Sequence, residues 1–318
     1  MVKLRFEPLA FREVDGLEGP VLARPLGAPS PLEARLAAGE FVIASEVSPP
    51  RRARLTSFIR RARRLSRFAV ALTVTNNHAA RPRLESLVAA YVLRLHGIDP
   101  IWVVNTRDRN RLAIRSQILA AGVLGVQNVL CVKGDPIEKG SDPEARAVHD
   151  LSTVELIRLF AQQKAEGHHF FVGGAVDVTS GPVDKAFRLA RRRVEAGADF
   201  LQTQPVFELG PIAELAGRLR RLEDRRPYLI AGLMPVLDPE DVGRVERNLG
   251  IPVPASVREA LGRARDPREA GFKLLADLVA GLRRIDGVHG VNVMLFDQTD
   301  HMVEGILACL GARAEAAS

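Results

Sequence analysis

With 318 residues, 47% of them hydrophobic, the chain can bury a large core, and its length suits one α/β barrel or two ordinary domains. No apolar run approaches the roughly 20 residues of a membrane span, and the opening MVKLRFEPLAFREVDG lacks the apolar centre of a signal peptide, so a cytoplasmic protein with no membrane partner is expected. Lys and Arg number 45 against 38 Asp and Glu, but outside the arginine-dense segment 51–67 the two signs are interleaved, and 13 Phe, 2 Tyr and 1 Trp make a poor stacking platform; no nucleic-acid partner is expected.

In chain order, residues 1–29 carry Gly and Pro without periodicity and read as an N-terminal extension to a single domain over 30–318. Ser30-Pro-Leu-Glu33 has capping-box spacing with Pro at the first helical position, which predicts a short helix over the floor of the domain. Phe41 to Ala44 is short, aromatic and β-branched, and Pro49 and Pro50 cannot donate to a ladder, so a strand should end near Ser45 with Glu46 just beyond it.

From there short apolar runs alternate with amphipathic segments. Helix 51–66 leads to strand Phe68–Thr73, helix 83–95 to Pro100–Val104, helix 109–121 to Asn128–Val132 and helix 152–165 to His169–Gly173. Helix 183–196 leads to Phe200–Thr203 and helix 211–222 to Tyr228–Leu233; helices 239–248, 254–264 and 267–284 precede strand Gly290–Phe296 and a closing helix 301–310. In 183–196 the apolar positions Val183, Phe187, Ala190 and Val194 leave Lys185, Arg188, Arg191, Arg192 and Arg193 on the other flanks. Strands alternating with helices imply a parallel sheet, and eight of them predict a closed (β/α)8 TIM barrel of the α/β class.

The residues following the strands would then ring one mouth: Glu46, Thr73 to Asn77, Asn105-Thr106, Lys133-Gly134-Asp135, Asp177, Gln202 to Gln204, Met234-Pro235 and Asp297-Gln298. Amides, hydroxyls and carboxylates around an apolar interior suit the donor and acceptor edge of a small heterocycle. In Lys133-Gly134-Asp135, glycine permits close backbone approach to a ligand between a cation and an acceptor; the plain alternative is a tight turn. His168-His169 opens a strand, at the opposite and stabilising face. Cys131 and Cys309 read as core, no metal-ligand spacing occurs, and there is no GxGxxG, Walker lysine loop or nucleophile elbow.

Ser-Glu46-Val-Ser-Pro-Pro, Thr-Arg-Asp-Arg-Asn110, Asn-Val-Leu-Cys-Val-Lys-Gly-Asp135-Pro and Glu-Ala-Gly-Ala-Asp-Phe-Leu-Gln-Thr-Gln204-Pro-Val-Phe, in this order, resemble the methylenetetrahydrofolate reductase family. The resemblance runs from about residue 30 to 311, takes in Leu-Met-Pro-Val236, and is nearest to the reductase half of bacterial homocysteine methyltransferase/reductase proteins. It implies a (β/α)8 barrel that holds FAD at its mouth and reduces 5,10-methylenetetrahydrofolate to 5-methyltetrahydrofolate with NADH or NADPH, a folate substrate, and a homo-oligomer with a reductase or corrinoid protein as candidate partner. Matching motifs put Glu46 in the place of the general acid, Asp135 in that of the carboxylate beside pterin and flavin, Gln204 in that of the pterin-binding amide and Thr73 in that of a flavin contact.

The other cofactor positions the resemblance implies are Asn105, Thr106, Lys133, Gly134 and Asp177, with Lys185 and Arg193 meeting the flavin phosphates or the folate's glutamate tail. The chain departs from the family pattern at Val47-Ser48, where an aromatic pair is usual, at Lys133 for arginine, at Val103 for a third-strand histidine, and at Asp177-Val178, near which a His-Pro is missing. A flavin-independent reduction and a non-catalytic barrel subunit are the competing expectations.

Overall fold

The computed structural model describes residues 28–295 together with 305, 306, 309 and 310. Helix α1 (Pro31–Ala37) begins as its spacing predicts: Ser30 Oγ accepts from the Glu33 N–H at 3.0 Å, with Pro at the first turn. Its buried Leu32 and Leu36 plug the floor against Val42, Phe171 and Phe200.

Eight parallel strands pair in chain order and close into a barrel: β1 (Val42–Val47), β2 (Ala71–Val74), β3 (Pro100–Asn105), β4 (Asn128–Val132), β5 (Phe171–Val176), β6 (Phe200–Pro205), β7 (Tyr228–Leu233) and β8 (Gly290–Val293). Helices α2 (Thr56–Leu65), α3 (Ser86–Leu95), α4 (Arg111–Leu124), α5 (Thr153–Ala165), α6 (Val183–Glu195) and α7 (Leu209–Leu219) occupy the successive connections, and α8 (Pro239–Leu249), α9 (Ala255–Arg263) and α10 (Pro267–Arg283) share the one between β7 and β8.

Alternation assigns the strand side chains. Ala44, Ala71, Ile101, Val103, Leu130, Phe171, Phe200 and Ile230 fill the lumen, while Leu72, Val74, Trp102, Val104, Val129, Cys131 and Val172 meet the helices. Fully burying one such aliphatic side chain stabilises by about 1.5–3 kcal/mol, so the two layers hold the rim in place from beneath. Gly173 belongs to this packing: a Cβ there would lie 2.2 Å from the Phe200 ring.

The differences from the expected elements lie mostly at ends. The second helix starts at Thr56, not 51, because 50 and its neighbours are tied to the next loop: Arg83 Nη1 donates to Pro49 O at 2.9 Å and the Leu84 N–H to Pro50 O. The fifth strand starts at Phe171; His169 stays on the floor, its Nε2 2.6 Å from Glu33 Oε2. β8 ends at Val293, and Phe296, Asp297-Gln298, most of the closing helix and the extension up to residue 27 lie outside the described residues. Among the described residues no helix is long and apolar enough to cross a membrane, and no three His, Cys, Asp or Glu are placed to share a metal ion.

Candidate active site

β1 runs two residues further than its prolines suggested, because Val47 O still accepts from the Thr75 N–H at 3.2 Å. Glu46 therefore belongs to the strand, opposite Thr73 of β2 and on the lumen-facing parity of Val42 and Ala44. A strand holds a carboxylate more rigidly than a loop would. The register places Val103, Ala175 and Gly232 at its height, and Thr73, Leu130, Gln202 and Asn292 in the layer beneath.

That lower layer is polar and incompletely satisfied. Thr73 Oγ1 donates to Asn292 Oδ1 at 3.1 Å, but Asn292 Nδ2 and Gln202 Oε1 are buried with no hydrogen-bond partner. An orphaned donor and acceptor cost about 1–3 kcal/mol each when nothing fills them, so the layer beneath Glu46 keeps one unused donor and one unused acceptor.

The rim over β2 to β4 is one network. Arg107, 1% exposed, donates from Nε to Asp108 Oδ1 at 2.5 Å, from Nη1 to Asp135 O at 2.9 Å and from Nη2 to Asn77 O at 3.2 Å, so a single guanidinium joins the loops after β2, β3 and β4. Asn105 and Asn77 donate to Asp108 Oδ2 as well. Burial alone would raise the Asp108 carboxyl; these donors outweigh it and hold its pKa below the usual carboxylate value. Gly134, at φ +91°, is required by this packing, since its Cβ would lie 3.0 Å from the Arg107 Cβ; the close approach it permits is to Asn105 and Arg107.

The network also holds a left-handed loop. Asn77, Ala79 and Ala80 have φ of 43°, 54° and 51°, a conformation that costs a residue with a Cβ roughly 1–2 kcal/mol. It persists because Asp135 Oδ2 accepts from the Ala79 N–H at 2.6 Å and Asn77 Oδ1 from the Arg83 N–H at 3.1 Å. The loop carries His78 to 3.8 Å from Asp135 Oδ2. Around Glu46, burial pushes the carboxyl up, His78 pulls it down, Asp135 raises it and Arg61 and Arg83 lower it, leaving its pKa above the ordinary value.

Gln204 stands at a bulge. The β6–β7 register shifts between Gln202 and Pro205, and the Gly232 N–H is met by Thr203 Oγ1 at 2.8 Å. A Cβ on Gly232 would fall 2.5 Å from Thr203 O. The bulge leaves the Gln204 side chain partly exposed and without a hydrogen-bond partner among the described residues.

Other expected cofactor positions are committed elsewhere. Thr106 Oγ1 is 3.4 Å from Lys133 O and 3.5 Å from His149 Nδ1, and Asp177 closes its own turn through Thr179 and Ser180. Lys133 and Lys185 are exposed. Arg193, expected on the polar flank of its helix and near the flavin phosphates, is instead on the buried face of α6 with Ala186, Ala190 and Val194. It lies behind the barrel wall, its Cδ taking the space that a Gly174 side chain would fill, next to Cys131; burial lowers its pKa to about 10.

Against known proteins, the profile of the family described as methylenetetrahydrofolate reductase matches residues 31–308. The chain belongs to that family. A curated relative, methylenetetrahydrofolate reductase 2 of Schizosaccharomyces pombe, is 25% identical over 238 residues, which is 69% of this chain and 36% of the relative, so the chain spans about a third of that protein's length. Among solved structures, an uncharacterised Clostridium thermocellum protein that binds two copies of 5-methyl-5,6,7,8-tetrahydrofolic acid superposes with TM-score 0.60 at 10% identity, over 88% of this chain and 97% of that one, a likeness of fold.

Within this barrel, Glu46, Thr73, Gln204 and Asp135 converge on one mouth, and Arg193 does not. Sequence reasoning missed His78 and Asn292, and gave no role to Arg107-Asp108 although the pair lies in the Thr-Arg-Asp-Arg-Asn110 motif. Asn292 was readable as the polar residue at the inward parity of Gly290-Val-Asn-Val293; His78 was not, because only the left-handed turn brings it to Asp135.

Proposed function

We propose that the chain reduces 5,10-methylenetetrahydrofolate to 5-methyltetrahydrofolate, with NADH or NADPH as reductant and FAD as the carrier. The observation that carries this reading is Glu46, a carboxyl with raised pKa on a rigid strand at the mouth, beside Asp135 and above the orphaned Gln202 and Asn292. Opening the folate's five-membered ring frees N10 only if a proton is delivered to it. A buried carboxyl whose pKa is raised above the ordinary value holds its proton more readily than a free one, which suits it to that step.

Asp135, with one oxygen engaged by Ala79, keeps the other for the pterin, and Gln204 offers a free amide across the mouth. The unpaired Gln202 and Asn292 atoms fit a flat heterocycle, so the lumen layer and Asp135 would hold the flavin ring, with Lys133 and Lys185 as the exposed cations toward its phosphates. When bound, FAD supplies the hydride exchange between nicotinamide and the one-carbon unit. The commitment of Thr106 and Arg193 elsewhere favours one second reading, direct hydride transfer from nicotinamide to the folate without flavin.

The absorption spectrum of the purified chain after incubation with FAD and desalting separates the two. A retained flavin spectrum is expected; a colourless protein that still reduces the folate would establish the flavin-free reaction.

His78 provides a further test. Because it lowers the Glu46 pKa, His78→Gln should move the alkaline limb of the pH–rate profile for folate reduction upward, since the proton donor then stays protonated to higher pH. Asp135, Arg61 and Arg83 remain as the other charges acting on Glu46. An unmoved limb would mean that His78 is only a loop residue.

A further inference from the structure

From residue 47 to residue 84 the chain holds ten arginines and no aspartate, glutamate or lysine. That is more positive charge than the +7 of the whole chain, gathered on the side of the barrel formed by β1, α2 and β2. In α2 the apolar side chains Phe58, Ile59, Ala62 and Leu65 are buried against the wall, and Arg60, Arg63 and, just past its end, Arg67 stand exposed. With Arg64, and with Thr56 at the mouth end, they line a groove of about 430 Å³ along the helix. We infer that this groove is the docking site for an extended acidic segment of a partner protein.

The lack of local acids sets this helix apart. Elsewhere exposed arginines are paired: Arg191 with Glu195, Arg220 with Asp286 and Arg263 with Glu259. Among the described residues no carboxylate pairs with Arg60, Arg63 or Arg67, and Arg63 Nη2 lies instead 3.4 Å from His96 Nδ1. Burial and that arginine lower the His96 pKa, so the positive field reaches the floor end of the groove as well. Like charges three and four residues apart repel along a helix, and an acidic partner removes that repulsion.

Spacing and chemistry point to the same occupant. The arginines recur about once per turn, and the row from Thr56 to Arg67 is about 16 Å long. An extended chain rises about 3.3 Å per residue and turns alternate side chains to one side, so about five residues with an acid at every second position match the row. Every cation on this face is an arginine, whose planar fork takes both oxygens of a carboxylate.

Other polyanions fit less well. The one aromatic side chain of α2, Phe58, is buried, which leaves nothing for bases to stack on, and a helix lying flat on the barrel cannot enter a nucleic-acid groove. The face also exposes no large apolar side chain for a bilayer to take up.

The test is fluorescence anisotropy of the whole chain with a labelled peptide of alternating Glu and Ser, set beside its Gln-Ser counterpart, single-stranded poly(U) and phosphatidylserine vesicles. The acidic peptide should bind, the Gln-Ser peptide should not, and added salt should weaken the binding because the charges are exposed. Arg60→Glu, Arg63→Glu and Arg67→Glu made together should lower the affinity about tenfold or more, and Arg188→Glu, Arg191→Glu and Arg192→Glu on the exposed side of α6 by about threefold or less. Circular dichroism checks the fold. If the α2 reversal loses its helical signal, the single variants Arg60→Gln and Arg67→Gln, which keep a good helix former, are compared with Arg188→Gln and should be the weaker binders. No binding of the acidic peptide at low salt, an equal loss on both helices, or tighter binding of poly(U) or of vesicles would overturn the inference.

Discussion

Glu46→Gln should lower the rate of methylenetetrahydrofolate reduction by about 10²–10⁴, the usual contribution of a positioned general acid. Glutamine keeps the size and the hydrogen-bonding capacity of the side chain and removes only the transferable proton. Folate affinity should change little, and nicotinamide oxidation measured without folate should survive, because neither requires a proton on N10. Stopped-flow measurement of the two reactions separately decides the point. Equal loss in both would mean that the substitution damaged the mouth, and no loss in either would reduce Glu46 to a spectator at the barrel rim.

The second large effect concerns stability. Arg107→Ala should destabilise the fold by about 3–5 kcal/mol, the cost of removing one partner from a buried ion pair and leaving the other uncompensated. Asp108 would lose the guanidinium that holds its pKa down, and the left-handed loop at Asn77 and Ala79 would lose one of its anchors. Urea denaturation followed by circular dichroism measures the loss. A further signature is the pH dependence: a carboxyl whose folded pKa is depressed contributes stability above its unfolded pKa and loses it as pH falls through the folded one. Wild-type stability should therefore decline on the acid side more than that of Arg107→Ala, in which the Asp108 pKa returns toward its ordinary value. A loss below about 1 kcal/mol would show that the rim does not depend on this network.

The barrel was legible because period-two and 3.6-residue patterns follow from backbone geometry, and each apolar run from Phe41 to Val293 was bounded by turn residues. Glu46 and Gln204 were legible for the same reason, being polar where strands finish. What escaped were positions set by tertiary contacts. Arg193 looked like a surface cation because its helix carries arginines all round, yet Gly174 on the preceding strand leaves a channel for its stem, and no pattern within the helix announces a missing side chain on its neighbour. Gly134 was read as close approach to a ligand or a tight turn, and the structure shows a left-handed turn whose side-chain space borders Arg107 and Asn105. The left-handed alanines are the extreme case: alanine is a helix former, and the turn is held by tertiary partners, Asp135 on the Ala79 N–H and Arg83 and Arg107 on Asn77, that no local pattern shows.

A folate reductase with its site at this mouth must turn the folate over. The most direct measurement is anaerobic incubation of the purified chain with FAD, NADH or NADPH, and 5,10-methylenetetrahydrofolate, with 5-methyltetrahydrofolate quantified by chromatography. Formation of 5-methyltetrahydrofolate by the wild-type chain and its near abolition in Glu46→Gln is the expected result. No product from the wild-type chain with either nicotinamide, with or without FAD, while it still binds the folate, would contradict the account and point to a barrel that binds without turning over.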